Sequence, residues 1–193
     1  MPDLHGIFSP KERQGYLSKA VVAEIEAFHK AHCPLLPIVD FGCGDGGYLR
    51  ELSRLGVQVF GIEGCTKGLS EVFEHDLCEP LRFMPNEPRL SVCLEVAEHI
   101  PNQFESVFLD NISYEAPHIA LSWAVRGQGG NGHVNCRNSE EVVAIMDDRG
   151  YVAHDWSGSR KRIREAREKC PWFANTFMLF SKHDIQDHSQ NKS

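Results

Sequence analysis

The chain has 193 residues, a formal charge of −7, 24% charged and 41% hydrophobic residues. That length suits one domain around a single core, and the composition excludes the disordered and fibrous classes. No apolar run approaches the ~18 residues that span a bilayer, no signal-peptide pattern opens the chain, and the acidic balance argues against a general nucleic-acid binder. A cytoplasmic protein with no membrane and no nucleic-acid partner is expected.

Ser9-Pro10-Lys11-Glu12 reads as a helix start, with Ser9 as cap, Pro10 presetting φ and Glu12 completing a capping box. Leu17, Val21, Ile25 and Phe28 recur at helical spacing and predict one apolar stripe ending near His32, before Pro34 and Pro37. Ile38-Val39-Asp40-Phe41 is a short buried strand, followed by the glycine-rich run 42–47 and a helix from Tyr48 to Leu55 that Gly56 stops. Strands are predicted over Val57–Ile62, Glu71–His75 and Leu90–Val96, a helix over Asn102–Ile112, and a fifth strand over Ile119–Val125. After a second glycine-rich loop, Asn138 and Glu141 form a cap-like pair opening a helix to Arg149, with Gly150 as its stop. Tyr151–Trp156 and Thr176–Ser181 are the final strands. Strands separated by helical stretches indicate an α/β protein with a mostly parallel sheet covered on both faces. No repeat or linker divides residues 1–182, which are expected to form one domain with 1–36 as an N-terminal helical cover over the site. The polar segment 183–193 has no periodicity and is expected to be a disordered tail.

The seven cysteines are odd in number, contain no C-x-x-C pair and lie largely in apolar stretches. They read as small buried thiols in a reducing compartment rather than a disulfide framework or zinc ribbon. No H-E-x-x-H occurs among the ten histidines, so no metal site is expected.

The strand–loop–helix from Ile38 to Leu55 is the best-placed signal. Glycines at 42, 44 and 46 let the backbone turn tightly and approach a ligand closely, at the carboxyl end of a strand where open α/β sheets bind ligands. Two ligand classes compete for it. Gly42, Gly44 and Gly47 satisfy the dinucleotide pattern G-x-G-x-x-G, with Glu63 where a ribose-binding acid should fall. Against that, Asp40 lies two residues before the first glycine, where a carboxylate favours a cationic ligand over a pyrophosphate.

Asp40-Phe41-Gly42-Cys43-Gly44-Asp45-Gly46 resembles the first motif of the class I S-adenosylmethionine-dependent methyltransferases. Glu63 is similar to that family's ribose-binding acid, and His75-Asp76-Leu77 to the segment that holds adenine. Ser91 to Pro101, with Leu94-Glu95-Val96 and Glu98-His99, resembles the fourth-strand motif of its small-molecule branch. The resemblance covers roughly residues 38 to 125. It implies a Rossmann-like, doubly wound, seven-stranded sheet, mostly parallel with one antiparallel strand near the C-terminus. It also implies S-adenosyl-L-methionine as cofactor, bound by Asp40, Gly42, Cys43, Gly44, Gly46, Glu63, Gly64, Asp76, Leu77 and Glu95. The residue chemistry agrees: the Glu63 carboxylate suits a vicinal diol, and Asp76 can accept from an adenine amino group. A plain turn acid before Cys78-Glu79-Pro80 is an equal reading of Asp76.

Methyl transfer to a hydroxyl benefits from a base, and two histidines lie near the expected site. His99 follows the fourth strand; His133 lies in the second glycine-rich loop and is preferred as the acid–base residue, since Glu98-His99 also reads as a helix-orienting pair. The expected activity is transfer to an oxygen, less favourably a nitrogen, of a small molecule, with a sugar or glycan hydroxyl as first acceptor. The chain lacks the Pro-Pro-aromatic motif after strand four that marks nucleic-acid amino methylation. Arg160, Lys161, Arg162 and Arg164, with Glu165 and Glu168 at helical spacing, read as a solvated ion-paired helix face rather than a phosphate clamp. Trp156, Trp172 and Phe173 read as core before pocket wall. A nicotinamide-dependent oxidoreductase and a cofactor-binding inactive subunit are the competing classes.

Overall fold

In the computed structural model, residues 2–8, 16–66, 69, 72–82 and 87–184 are described. Short apolar runs bounded by glycine, proline or polar residues make the strands β1 (Ile38–Phe41), β2 (Val59–Glu63), β3 (Val72–Glu74), β4 (Leu90–Cys93), β5 (His118–Ser122), β6 (Tyr151–Ala153) and β7 (Phe177–Lys182). Between them lie helices α1 (Lys19–His32), α2 (Gly47–Arg54), α3 (Glu105–Ser113), α4 (Ser139–Asp147), α5 (Ser157–Glu165) and the single turn α6 (Phe173–Thr176). One seven-stranded sheet runs in the order β3-β2-β1-β4-β5-β7-β6. Every pairing is parallel except those of β7, which runs antiparallel to β5 and β6. This is the doubly wound sheet with one reversed strand that the sequence implies.

The side-chain alternation of the strands feeds two cores. On one face Ile38, Leu90, Val92 and Ala120 pack against Val21, Ile25 and Phe28 of α1, Leu52 of α2 and Ile163 of α5. On the other, Val39, Phe41, Cys93 and Ile119 pack against Phe108 and Ile112 of α3 and Met146 of α4. No two of the seven cysteines form a disulfide. Among the described residues no helix is long and apolar enough to cross a membrane.

The element ends differ from the sequence reading for identifiable reasons. Helix α1 starts at Lys19, where Ser18 Oγ accepts from the Val21 N–H at 3.1 Å; Tyr16 to Ser18 are not helical, and the Ser9–Glu12 cap lies outside the described residues. The Tyr48 hydroxyl holds this stretch, accepting from Ser18 N–H and donating to the Tyr16 carbonyl. So α1 itself covers a sheet face, and the part of the N-terminal region over the site is the non-helical part. Strand β4 stops at Cys93 rather than Val96 because Glu95 adopts φ 59, outside the β region. The stretch from Asn102 begins as a 3-10 turn before α3, and the capping box of Asn138 and Glu141 opens α4 as predicted. His183 is not a free tail residue, since its N–H donates to the Gly150 carbonyl at 3.0 Å; residues 185–193 lie outside the described part. The basic run forms α5, where Arg162 forks onto Glu24, Arg160 lies over Trp156, and Lys161 faces Glu165 one turn on.

A histidine cluster under β5 makes the fold acid-sensitive. His118 is 3% exposed, and its Nδ1 and His154 Nε2 each contact Ser181 Oγ at 2.7 Å. Burial, then the neighbouring His32 and His154, push the His118 pKa from 6.5 down to about 4. The fold thus keeps neutral an imidazole that the unfolded chain protonates. That contribution is complete above pH 6.5 and is lost as pH falls toward 4, on the order of 3 kcal/mol in total. Urea midpoints at about pH 7 and about pH 4.5 should show the loss, and His118→Asn should reduce it. An unchanged pH dependence in that variant would place the acid sensitivity elsewhere.

Candidate functional site

Strand β1 sits between β2 and β4, the point where the strand order reverses and crevices form at the carboxyl ends. A cavity of about 360 Å³ opens there. Of the twelve site residues singled out in the sequence, eleven line it: Asp40, Gly42, Cys43, Gly44, Glu63, Gly64, Asp76, Leu77, Glu95, His99 and His133. Gly46 does not; it is the left-handed cap, at φ 74, that starts α2.

At one end the loop after β1 folds against β2 and β4. Gly42 is needed for packing as well as for its φ of 73, because a Cβ there would lie 2.4 Å from Val96 Cγ2. Glu63 ends β2 and is buried; its Oε2 accepts from the Gly44 N–H at 2.9 Å, which ties the glycine loop to the second strand. Asp40 is 2% exposed, and its Oδ2 makes no hydrogen bond among the described residues. Burial, and then the nearby Glu63 charge, raise its pKa to about 7. Asp76 performs the turn role: Oδ1 accepts from Cys78 N–H at 2.8 Å, while Oδ2 pairs with His5 Nδ1. That pairing, through its hydrogen bond and charge, raises the His5 pKa.

The other end is built from the turn after β4 and the loop after β5. Glu95 is locked in its left-handed conformation by Ser122, whose Oγ accepts from the Glu95 N–H at 2.8 Å and donates to Glu95 Oε1 at 2.9 Å. One turn further, Glu98 is fully buried, and no side chain hydrogen-bonds its carboxylate among the described residues; the backbone amides of Glu98 and Ala124 are the groups that favour its charged form. Burial raises the pKa of both acids, and in Glu98 the Glu95 charge adds to it. The loop is pinned to this turn by Val134 and Asn135, whose N–H groups donate to the Glu98 carbonyl at 2.9 and 3.0 Å. His133 Nε2 thereby comes to 4.0 Å from Glu98 Oε1, and the His99 and His133 rings lie 5.1 Å apart.

The two imidazoles are oriented alike. His99 Nδ1 contacts the Gly132 carbonyl at 3.1 Å and His133 Nδ1 the Gln128 carbonyl at 3.2 Å. A carbonyl only accepts, so Nδ1 is the donor in each ring. Burial lowers the His99 pKa and keeps that ring neutral. One donor atom from each of Glu98, His99 and His133 lies within 4.8 Å of the others, a possible ion site. Sequence reasoning did not find this group, because Glu98-His99 and His133 are brought together only by the fold.

It also missed the strap formed by residues 2–8. Asp3 closes it on itself by accepting from the His5 and Ile7 N–H groups. The strap crosses the cavity with Ile7 against Gly64, where a Cβ would be 2.8 Å from Cγ1, and Phe8 edge-on to His99. Tyr16, Leu17, Trp172 and Phe173 complete the wall, with Tyr16 and Trp172 edge to face. Trp156 instead packs near Phe180, away from the cavity. No residue of α5 lines the cavity, which leaves its basic run as an ion-paired helix face.

No family model matches the sequence, and no curated protein does. Solved structures do match the fold. Magnesium protoporphyrin IX methyltransferase from Synechocystis PCC 6803 aligns with a TM-score of 0.60 at 17% identity, over 85% of this chain and 77% of that one. An S-adenosylmethionine-dependent methyltransferase from Archaeoglobus fulgidus aligns at 0.59 and 14% identity, over 85% and 93%. The small RNA methyltransferase HEN1 aligns at 0.63 and 17% identity, over 86% of this chain and 25% of that one. The chain therefore has the class I S-adenosylmethionine-dependent methyltransferase fold, and at these identities the likeness is one of fold.

Proposed function

We propose that the protein transfers a methyl group from S-adenosylmethionine to a hydroxyl oxygen of a small-molecule acceptor, with a sugar or glycan hydroxyl as the favoured class. The observation that carries this reading is a single cavity joining the Asp40–Glu63 end to the His99–His133 end, with Glu98 buried behind the two histidines. At the first end, a buried carboxylate with an unused oxygen favours a ligand that brings positive charge and N–H donors. An ionised Asp40 disfavours a pyrophosphate at this loop, which counts against a dinucleotide. Glu63 offers acceptor oxygens to a ribose diol, and His5 to Phe8 of the strap line the same cavity. When bound, S-adenosylmethionine supplies an activated methyl on a neutral leaving group, so the chain's task is mainly alignment.

At the second end, Glu98, His99 and His133 fit a divalent cation. One nitrogen from each imidazole and a buried carboxylate oxygen suit a borderline metal, and the carbonyls of Gly132 and Gln128 fix the Nδ1 side of each ring. When bound, such a cation acidifies a coordinated hydroxyl. The 4.0 Å approach of His133 to Glu98 supports a second reading, in which His133 takes the hydroxyl proton and Glu98 stabilises the imidazolium. His99 would then position His133 through ring contact.

Labelled-methyl transfer from S-adenosylmethionine to a panel of sugars and phenols tests the activity, run with and without a chelator. Loss of at least tenfold on chelation, restored by one divalent metal, supports the cation. Undiminished transfer would leave the Glu98–His133 base. No transfer to any hydroxyl, with amines methylated instead, would overturn oxygen as the nucleophile.

A further inference from the structure

Beside the main cavity lies a second hollow of about 290 Å³, and His133 lines both. Its described wall carries the guanidinium groups of Arg126 and Arg137, with Asn102 and Asn135, and no carboxylate. Both arginines are held from behind in the same way. Arg126 donates through Nε and Nη2 to Glu141 at 2.8 and 2.5 Å. Arg137 donates through Nε and Nη2 to Glu105 Oε2 at 3.1 and 2.8 Å, and Asn135 Nδ2 donates to the same oxygen. Each fork is fixed by its Nε–Nη2 edge; Arg126 Nη1 stays outside that pairing, while Arg137 Nη1 lies 3.9 Å from Glu141 Oε1, so the two arginines share that carboxylate.

We propose that this hollow is an anion subsite for the acceptor, and that the acceptor is a small phosphate monoester such as a sugar phosphate. The inference rests on the methyl-transfer reading for its role but not for its binding chemistry. Glu105 and Glu141 offset the arginine charges at a distance, so the hollow holds an anion by its donors rather than by net charge. What it offers is a set of pre-oriented N–H donors, and a phosphate with three acceptor oxygens can use several at once. Fixed guanidiniums also lose little side-chain freedom when the ligand arrives. The wall shared at His133 places a phosphate held here beside the hydroxyl presented to His99 and His133, so the two groups belong to one compact molecule. The same donors would be wasted on a neutral glycan.

The test is calorimetric titration of the full-length protein at fixed ionic strength with ribose 5-phosphate, with ribose, and with inorganic phosphate. S-adenosylhomocysteine is titrated in parallel as a separate readout of the cofactor end. Ribose 5-phosphate should bind at least tenfold more tightly than ribose, inorganic phosphate should compete with it, and Arg126→Gln should remove most of that preference. Arg137→Gln should do the same; its half-buried pair makes thermal unfolding a necessary control, and the more exposed Arg126 carries the test if the Arg137 variant unfolds. Equal binding of ribose and ribose 5-phosphate, or a preference that survives Arg126→Gln, would overturn the subsite. Arginine-dependent binding of a short RNA in place of the sugar phosphate would overturn the small acceptor. Failure of S-adenosylhomocysteine to bind while phosphate binding persists would remove the methyl-transfer reading and leave the anion site standing.

Discussion

Glu98→Gln should lower methyl transfer by about 100-fold or more while leaving S-adenosylhomocysteine affinity unchanged. Glu98 is fully buried with no side-chain hydrogen-bond partner among the described residues, and burial disfavours its charge, an arrangement that burdens the fold. A neutral isostere should therefore leave the thermal midpoint of the metal-free protein no lower than wild type. Such a split, with activity lost and stability kept or gained, is the mark of a strained functional group rather than a structural one. Metal analysis then separates the two uses of the cluster. If the cation reading holds, the variant should retain no stoichiometric metal; if Glu98 serves His133 alone, metal content should not differ. Unchanged turnover in the variant would exclude Glu98 from the chemistry.

Glu63→Ala should weaken S-adenosylhomocysteine binding by about 100-fold or more. The estimate follows from losing two hydrogen bonds to a charged acceptor, each worth about 1.5–3 kcal/mol, at about 1.4 kcal/mol per tenfold. The same substitution also removes the acceptor of the Gly44 N–H, leaving the glycine loop tied to β2 through Gly42 and Cys43 N–H donating to the Ile62 carbonyl. Glu63→Gln should fall between the two, since an amide keeps one acceptor. Affinity within twofold of wild type in the alanine variant would dismiss the assigned cofactor end.

The cofactor end was legible in the sequence because its parts are local. The acid, the glycines and α2 form one strand–loop–helix unit, and Glu63 closes the next strand, so these residues could be singled out together, and all but Gly46 line one cavity. The acceptor end was legible only in halves. Glu98-His99 and His133 could each be singled out, but their meeting depends on Val134 and Asn135 bonding back to the Glu98 carbonyl. Glu95 was readable as a motif residue yet not as the break in β4, since its left-handed φ is held by Ser122 on another strand. The strap was illegible for the same reason: Asp3, His5 and Ile7 carry no periodic signal, and their contacts at Asp76 and Gly64 are tertiary. Helix α1 was found but begun too early, because Leu17 fits the apolar stripe by spacing and lines the cavity in fact.

The measurement that tests the central claim most directly is calorimetric titration of the purified protein with S-adenosylhomocysteine, with a nicotinamide dinucleotide as the parallel ligand. One site of micromolar affinity for the first and no heat from the second is the expected result. Binding of the dinucleotide alone would contradict the account, since Asp40 and Glu63 would then face a pyrophosphate, and the search would turn to hydride transfer.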